Sequence, residues 1–198
     1  MAQWTNSTAS FIRPYRHPSG SPPIREFEES TCAATAVLQY GDVVAFDTVV
    51  GTAAHRILRA PSSGGTGTNL LQVGITSLLG VCAQNSTSDG STTGLTNGTN
   101  VGPQRVNRKL GVWIADPNTE FYGFLSSAGG DVQAVSTLIG QQKAVIYSRT
   151  FNRFFIDSTN STAALFAVKI TDIPSESMGD TNGPVIFKFL SSNVATVV

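Results

Sequence analysis

The chain has 198 residues, with 13 Lys and Arg against 13 Asp and Glu, and charged residues make up 13% of it, roughly half the usual share of a globular domain. Zero formal charge leaves no basic footprint for neutralising phosphates, which argues against a general nucleic-acid binder, and a hydrophobic content of 40% argues against an acidic, disordered chain. Ser, Thr, Asn and Gly carry the surface instead, and with little self-repulsion such a surface tolerates dense packing beside copies of itself.

In chain order, residues 1–30 read as an extended N-terminal arm and residues 31–198 as a β-rich body. Phe11 to Arg25 holds four of the nine prolines, each fixing φ and biasing its predecessor toward extended backbone, so neither a helix nor a central strand is expected there. Trp4, Phe11, Ile12, Tyr15, Ile24 and Phe27 are more large apolar groups than a solvated tail carries. The expectation is an arm that is mobile when free and ordered on a partner. Arg13, Arg16 and Arg25 precede Glu26, Glu28 and Glu29; these are either solvated charges or a pattern that fixes the arm's register on that partner. The candidate partner-binding residues are Trp4, Phe11, Arg13, Tyr15, Arg16 and Arg25.

Beyond the arm, short runs rich in β-branched and aromatic residues recur: 43–46, 55–59, 79–83, 110–115, 120–125, 144–148, 153–157, 165–170 and 185–189. About nine strands at close spacing predict an all-β fold, a barrel or sandwich. The apolar spacing of Val132, Val135, Leu138 and Ile139 before Gly140 predicts one short helix over 131–140. Asp180-Thr181-Asn182-Gly183-Pro184 predicts a turn joining the last two strands in a hairpin, because Asn-Gly accepts positive φ and proline can only begin a strand or lie on an edge. The polar runs 61–69 and 84–103 predict surface loops. No internal repeat is visible in the residues.

Little in the sequence supports catalysis. Gly64-Gly65-Thr66-Gly67 lacks the lysine and following helix of a phosphate-binding loop. His17 and His55 have no metal-ligand spacing around them, and a His-based triad would need a serine and an acid brought beside one of them in space. Asp116 and Asp180 lie in sequences where aspartate serves turns. Cys32 and Cys82 are flanked by small or apolar residues and read as two buried thiols in a cytoplasmic product. No run reaches the roughly 18 apolar residues of a membrane span, and the N-terminus lacks a signal-peptide plan, so no membrane partner is expected.

The order of blocks in the C-terminal half carries a resemblance. Gly111-Val112-Trp113-Ile114-Ala115-Asp116-Pro117-Asn118-Thr119-Glu120-Phe121, Leu138-Ile139-Gly140-Gln141-Gln142, Phe155-Ile156-Asp157-Ser158, Val168-Lys169-Ile170-Thr171-Asp172-Ile173-Pro174 and Met178 through Leu190 resemble tailed-bacteriophage capsid decoration (cement) proteins over about Leu110 to Leu190. The resemblance implies a β-barrel-like body on the outer capsid surface, bridging capsomers of the major capsid protein as a homo-oligomer, with a trimer favoured. It implies no catalytic residue, cofactor or metal. A virion location with synthesis in the host cytoplasm follows. The alternative expectation is a receptor- or glycan-binding head-fibre or tail-tip module.

Overall fold

A computed structural model describes residues 11–29, 38–46, 56–60, 62–63, 70–73, 78–84, 109–126, 131–148, 151, 153–159 and 167–194. The fold is all-β. Its thirteen strand segments are β1 (Arg13–Arg16), β2 (Ile24–Glu29), β3 (Val43–Phe46), β4 (Arg56–Arg59), β5 (Ser62–Ser63), β6 (Leu70–Val73), β7 (Leu78–Cys82), β8 (Lys109–Ile114), β9 (Glu120–Ser126), β10 (Gln142–Ser148), β11 (Arg153–Asp157), β12 (Val168–Asp172) and β13 (Pro184–Phe189). The nine expected strands are all present. Of the four additional ones, β1, β2 and β5 lie in proline-rich or polar sequence, and β6 is a four-residue apolar run, Leu70–Val73, directly after a polar one.

β2, β4, β3, β7 and β8 form a closed barrel in that order. β2 and β4 run parallel and every other neighbour is antiparallel. Alternation places Phe27, Val44, Ile57, Cys82, Leu110, Val112 and Ile114 inside it, since successive side chains on a strand face opposite sides. The second sheet also returns on itself: β9 pairs β13, β13 pairs β12, β12 pairs β10, β10 pairs β11, and β11 runs parallel to β9. Phe121, Phe187 and Phe189 fill this second ring, with centroids 5.2 to 6.0 Å apart, a spacing suited to edge and offset ring contacts. Val43, Ala45, Leu78 and Val81, on the outer face of the first barrel, belong to the same apolar cluster as Phe121, Val185 and Phe187, so the two rings share a core. β1 lies on the remaining edge of β9, and β6 on that of β10 with β5 beyond it.

The segment expected as an arm therefore takes part in the molecule's own sheets. β1 covers an edge of the second ring and β2 is one of five strands in the first barrel, so that barrel begins at Ile24 and not after residue 30. The prolines do impose extended backbone; Pro14 lies in an edge strand, and Pro22 and Pro23 precede a strand start, the positions a residue without an N–H can take.

The helix expected over 131–140 is replaced by a single 3-10 turn at Ser136–Leu138. The backbone of the preceding residues is committed elsewhere: Ala134 donates to the Asp180 carbonyl and accepts from Gly179 N–H, and Val132 accepts from Asn182 N–H. Groups bonded to a neighbouring segment cannot close i to i−4 bonds. β12 and β13 are antiparallel as expected, and Asn182 in their connection has φ of 53°. Its side chain accepts from Val132 N–H at 3.2 Å and donates to Asp131 at 2.8 Å. Asn182→Ala is expected to cost about 2 to 3 kcal/mol in urea unfolding, combining left-handed strain with two lost hydrogen bonds. Asn182→Gly removes only the bonds and should cost less.

Candidate interaction surface

The second ring presents a strip of exposed cationic and aromatic side chains on β1. Arg13 lies opposite Tyr122, Pro14 opposite Phe121 and Arg16 opposite Glu120, with an irregularity between Pro14 and Arg16. Arg16 donates from Nε at 2.9 Å to Glu120 Oε2, and its Nη2 lies 2.7 Å from the same oxygen. The arginine side chain is 68% exposed, so solvent screening keeps this pair below about 1 kcal/mol. Its effect is to set register. The Arg13 guanidinium sits 4.8 Å over the Tyr122 ring, within cation–π range. Tyr15 stacks on the same ring at 6.5 Å and remains 53% exposed.

Phe11 and Ile12 face the other way. The Phe11 ring meets Tyr40 edge-on at 5.5 Å, and Tyr40 meets Trp113 at 5.3 Å. Arg153 lies 4.1 Å over Phe11 while donating to Gln39 at 2.7 Å. Phe11 thus ties the residues just before β1 to β8 and β11 and is not an outward anchor. Ile12 is buried against Gly123, where a Cβ would lie 3.3 Å from Ile12 Cγ1 and 2.9 Å from the Phe187 ring. Of the candidate residues, Arg13, Tyr15 and Arg16 come together on β1, and Arg25 is exposed on β2 of the other barrel. Trp4 lies outside the described residues.

Tyr122 and Glu120, neither of them among the candidate partner-binding residues, complete the strip. The alternation of β9 was the available signal, since it puts both on the face opposite buried Phe121 and Leu125. Burial of the Tyr122 phenol pushes its pKa above the ordinary value; Arg13 opposes this, and Glu176 and Tyr15 reinforce it.

His17 does acquire a serine and an acid in space. Ser19 Oγ lies 2.6 Å from Nδ1, and Asp116 Oδ2 lies 3.6 Å from Nε2. The arrangement is a turn lock and not a nucleophile array. Asp116 already accepts from Asn118 N–H, Thr119 N–H and the Thr119 hydroxyl, its distance to His17 exceeds a hydrogen bond, and the Ser19 hydroxyl also reaches the Ser21 carbonyl at 3.2 Å. Among the described residues no group of three or more His, Cys, Asp or Glu could hold a metal ion. Cys82 is buried, its thiol 3.0 Å from the Gln84 carbonyl, and Cys32 lies outside the described residues. No protein-family model, curated protein or solved structure matches the chain.

Phe11→Ala should cost about 3 kcal/mol of stability, the scale for deleting a packed aromatic ring, whereas Arg16→Ala should cost under about 1 kcal/mol while raising amide exchange across β1. A raised tyrosine pKa in the folded state means that stability is complete below the ordinary value of about 10 and falls as pH rises through the folded value. Melting temperatures across that range should therefore fall more steeply for the native protein than for Tyr122→Phe.

Proposed function

We propose that this is a structural virion protein that binds the outer surface of a phage capsid and stabilises it by bridging capsomers of the major capsid protein. The observation that carries the reading is the β1 strip, in which Arg13, Tyr15 and Arg16 hold fixed spacing on an edge strand and stay exposed. Tyrosine and arginine are the side chains that anchor protein interfaces, offering large contact area at small entropic cost. The sequence resemblance to decoration proteins supplies the class of partner. Neutral surface charge suits close packing on a shell, and a homo-oligomer would make modest contacts effective, because contacts after the first become intramolecular. The role is non-catalytic and needs no cofactor, nucleic acid or membrane.

Since β2 belongs to the first barrel, deleting residues 1–30 would unfold that barrel, and point variants are the appropriate test. Purified protein is added to heads stripped of outer accessory proteins, and occupancy and heat resistance are measured. The native protein should coat and stabilise the heads. Arg13→Ala combined with Tyr15→Ala should lower affinity by about tenfold or more, as expected for losing two interface anchors, with little change in the free protein's melting temperature. Uncoated heads with the native protein would sink the proposal, and sugar-competed binding to host cells would support a receptor-binding module instead.

A further inference from the structure

The two rings are one architecture used twice. In each, the first strand in chain order runs parallel to the third, the third is antiparallel to the second, and the ring then passes through the fourth and fifth strands back to the first. The registers agree as well. Matching the parallel pair Glu29 and Ile57 to Leu125 and Ile156 places Phe27 on Gly123, and their partners Leu110 and Val185 correspond. Gly80 opposite Ile114 then falls on Val168 opposite Phe189. Val44 opposite Gly80 falls on Lys143 opposite Val168, and Phe46 opposite Ile57 falls on Val145 opposite Ile156. Through these pairs the circuit closes on itself, the irregularities in β3–β7 after Val44 and in β12–β13 after Ile170 lying beyond the matched positions, and a one-residue slip would have turned every side chain to the wrong face.

This equivalence singles out one edge of the first barrel. In the second ring, β1 occupies the edge of β9 at Glu120–Tyr122, next to the parallel pairing with β11. The corresponding edge of the first barrel is Ile24–Glu26 on β2, next to the parallel pairing with β4. Among the described residues no strand lies there; Ile24 is 56% exposed, and Arg25 and Glu26 are exposed. An edge with open backbone groups is a template for another strand.

The geometry points to the β2 edge as an acceptor for one extended, basic strand of another protein, added antiparallel. The chemistry follows from the occupied edge. Glu26 corresponds to Tyr122, over which β1 holds Arg13, and Ile24 corresponds to Glu120, which receives Arg16. Across β8, Glu26 faces Gly111, which offers no side chain to answer its charge. The incoming strand therefore carries Arg or Lys over Glu26 and, two or three residues later, an apolar side chain over Ile24. The β ladder would give affinity and these two side chains specificity. This site does not depend on the partner being a capsid, and it is tested without one.

The test follows amide hydrogen exchange of the full-length protein, alone and with a blocked octapeptide of threonines bearing one arginine and, three positions later, one isoleucine. At ten times the dissociation constant, exchange of the Ile24 and Glu26 amides, the two that point away from β8, should slow by about tenfold, and Glu26→Lys should abolish the effect. The proposal is overturned if the peptide slows nothing at these amides, or if Glu26→Lys responds equally. Amides already protected without peptide also overturn it: protection that dilution removes assigns the edge to a second copy, and protection that dilution leaves intact assigns it to the chain itself.

Discussion

Two short parallel pairings hold the architecture together. Glu28 and Glu29 meet Arg56 and Ile57 in the first barrel, and Leu125 and Ser126 meet Ile156 and Asp157 in the second ring. Each joins the first strand of its ring to the third and turns an open sheet into a closed circuit. Without closure, four edges would present unpaired N–H and C=O groups, and the interior phenylalanines would have no enclosed space to fill. Because each pairing engages only the end of its first strand, the rest of that strand has no ring neighbour on that side, and those two remnants are where the surface chemistry lies.

The remnants are treated differently. On β9 the chain folds its own Arg13–Arg16 segment onto the edge and secures it with Glu120 and the Tyr122 ring. On β2 it leaves Ile24 and Glu26 facing solvent. Between the rings, Phe11, Tyr40, Trp113 and Arg153 form a ladder of ring and cation contacts. This ladder fixes the edges relative to each other, so a partner engaging both meets a preset spacing and loses little conformational entropy on binding.

Much of the body was legible in the sequence because the nine expected strands are runs rich in aromatic or β-branched residues, and the Asn182 turn announced itself by residue type. The duplication was not. Over the strands of the first barrel and their counterparts, only Ala45 with Ala144 and Ile57 with Ile156 keep the same residue; the repeat survives as hydrogen-bond register, which composition does not record. The arm misled for a related reason. Proline enforces extended backbone without indicating whether the partner is another protein or the chain itself, and only the positions of Glu120 and Tyr122, far away in sequence, decide that. The helix over 131–140 failed because its apolar spacing also suits a segment whose backbone bonds go to residues 179–182.

Placing β1 and β2 ahead of the strands they pair with has a consequence for how the protein is made. Arg16 and Glu120 are 104 positions apart, and β2 must wait for β8 before its barrel can close. A ribosome therefore releases the first strands long before it makes their partners. Many pairings that complete this fold are distant in sequence, which makes folding slow, and until β9 emerges the Arg13–Arg16 segment lacks the strand it pairs with in the finished molecule. Of the described strands, β1 waits longest for the strand it pairs with.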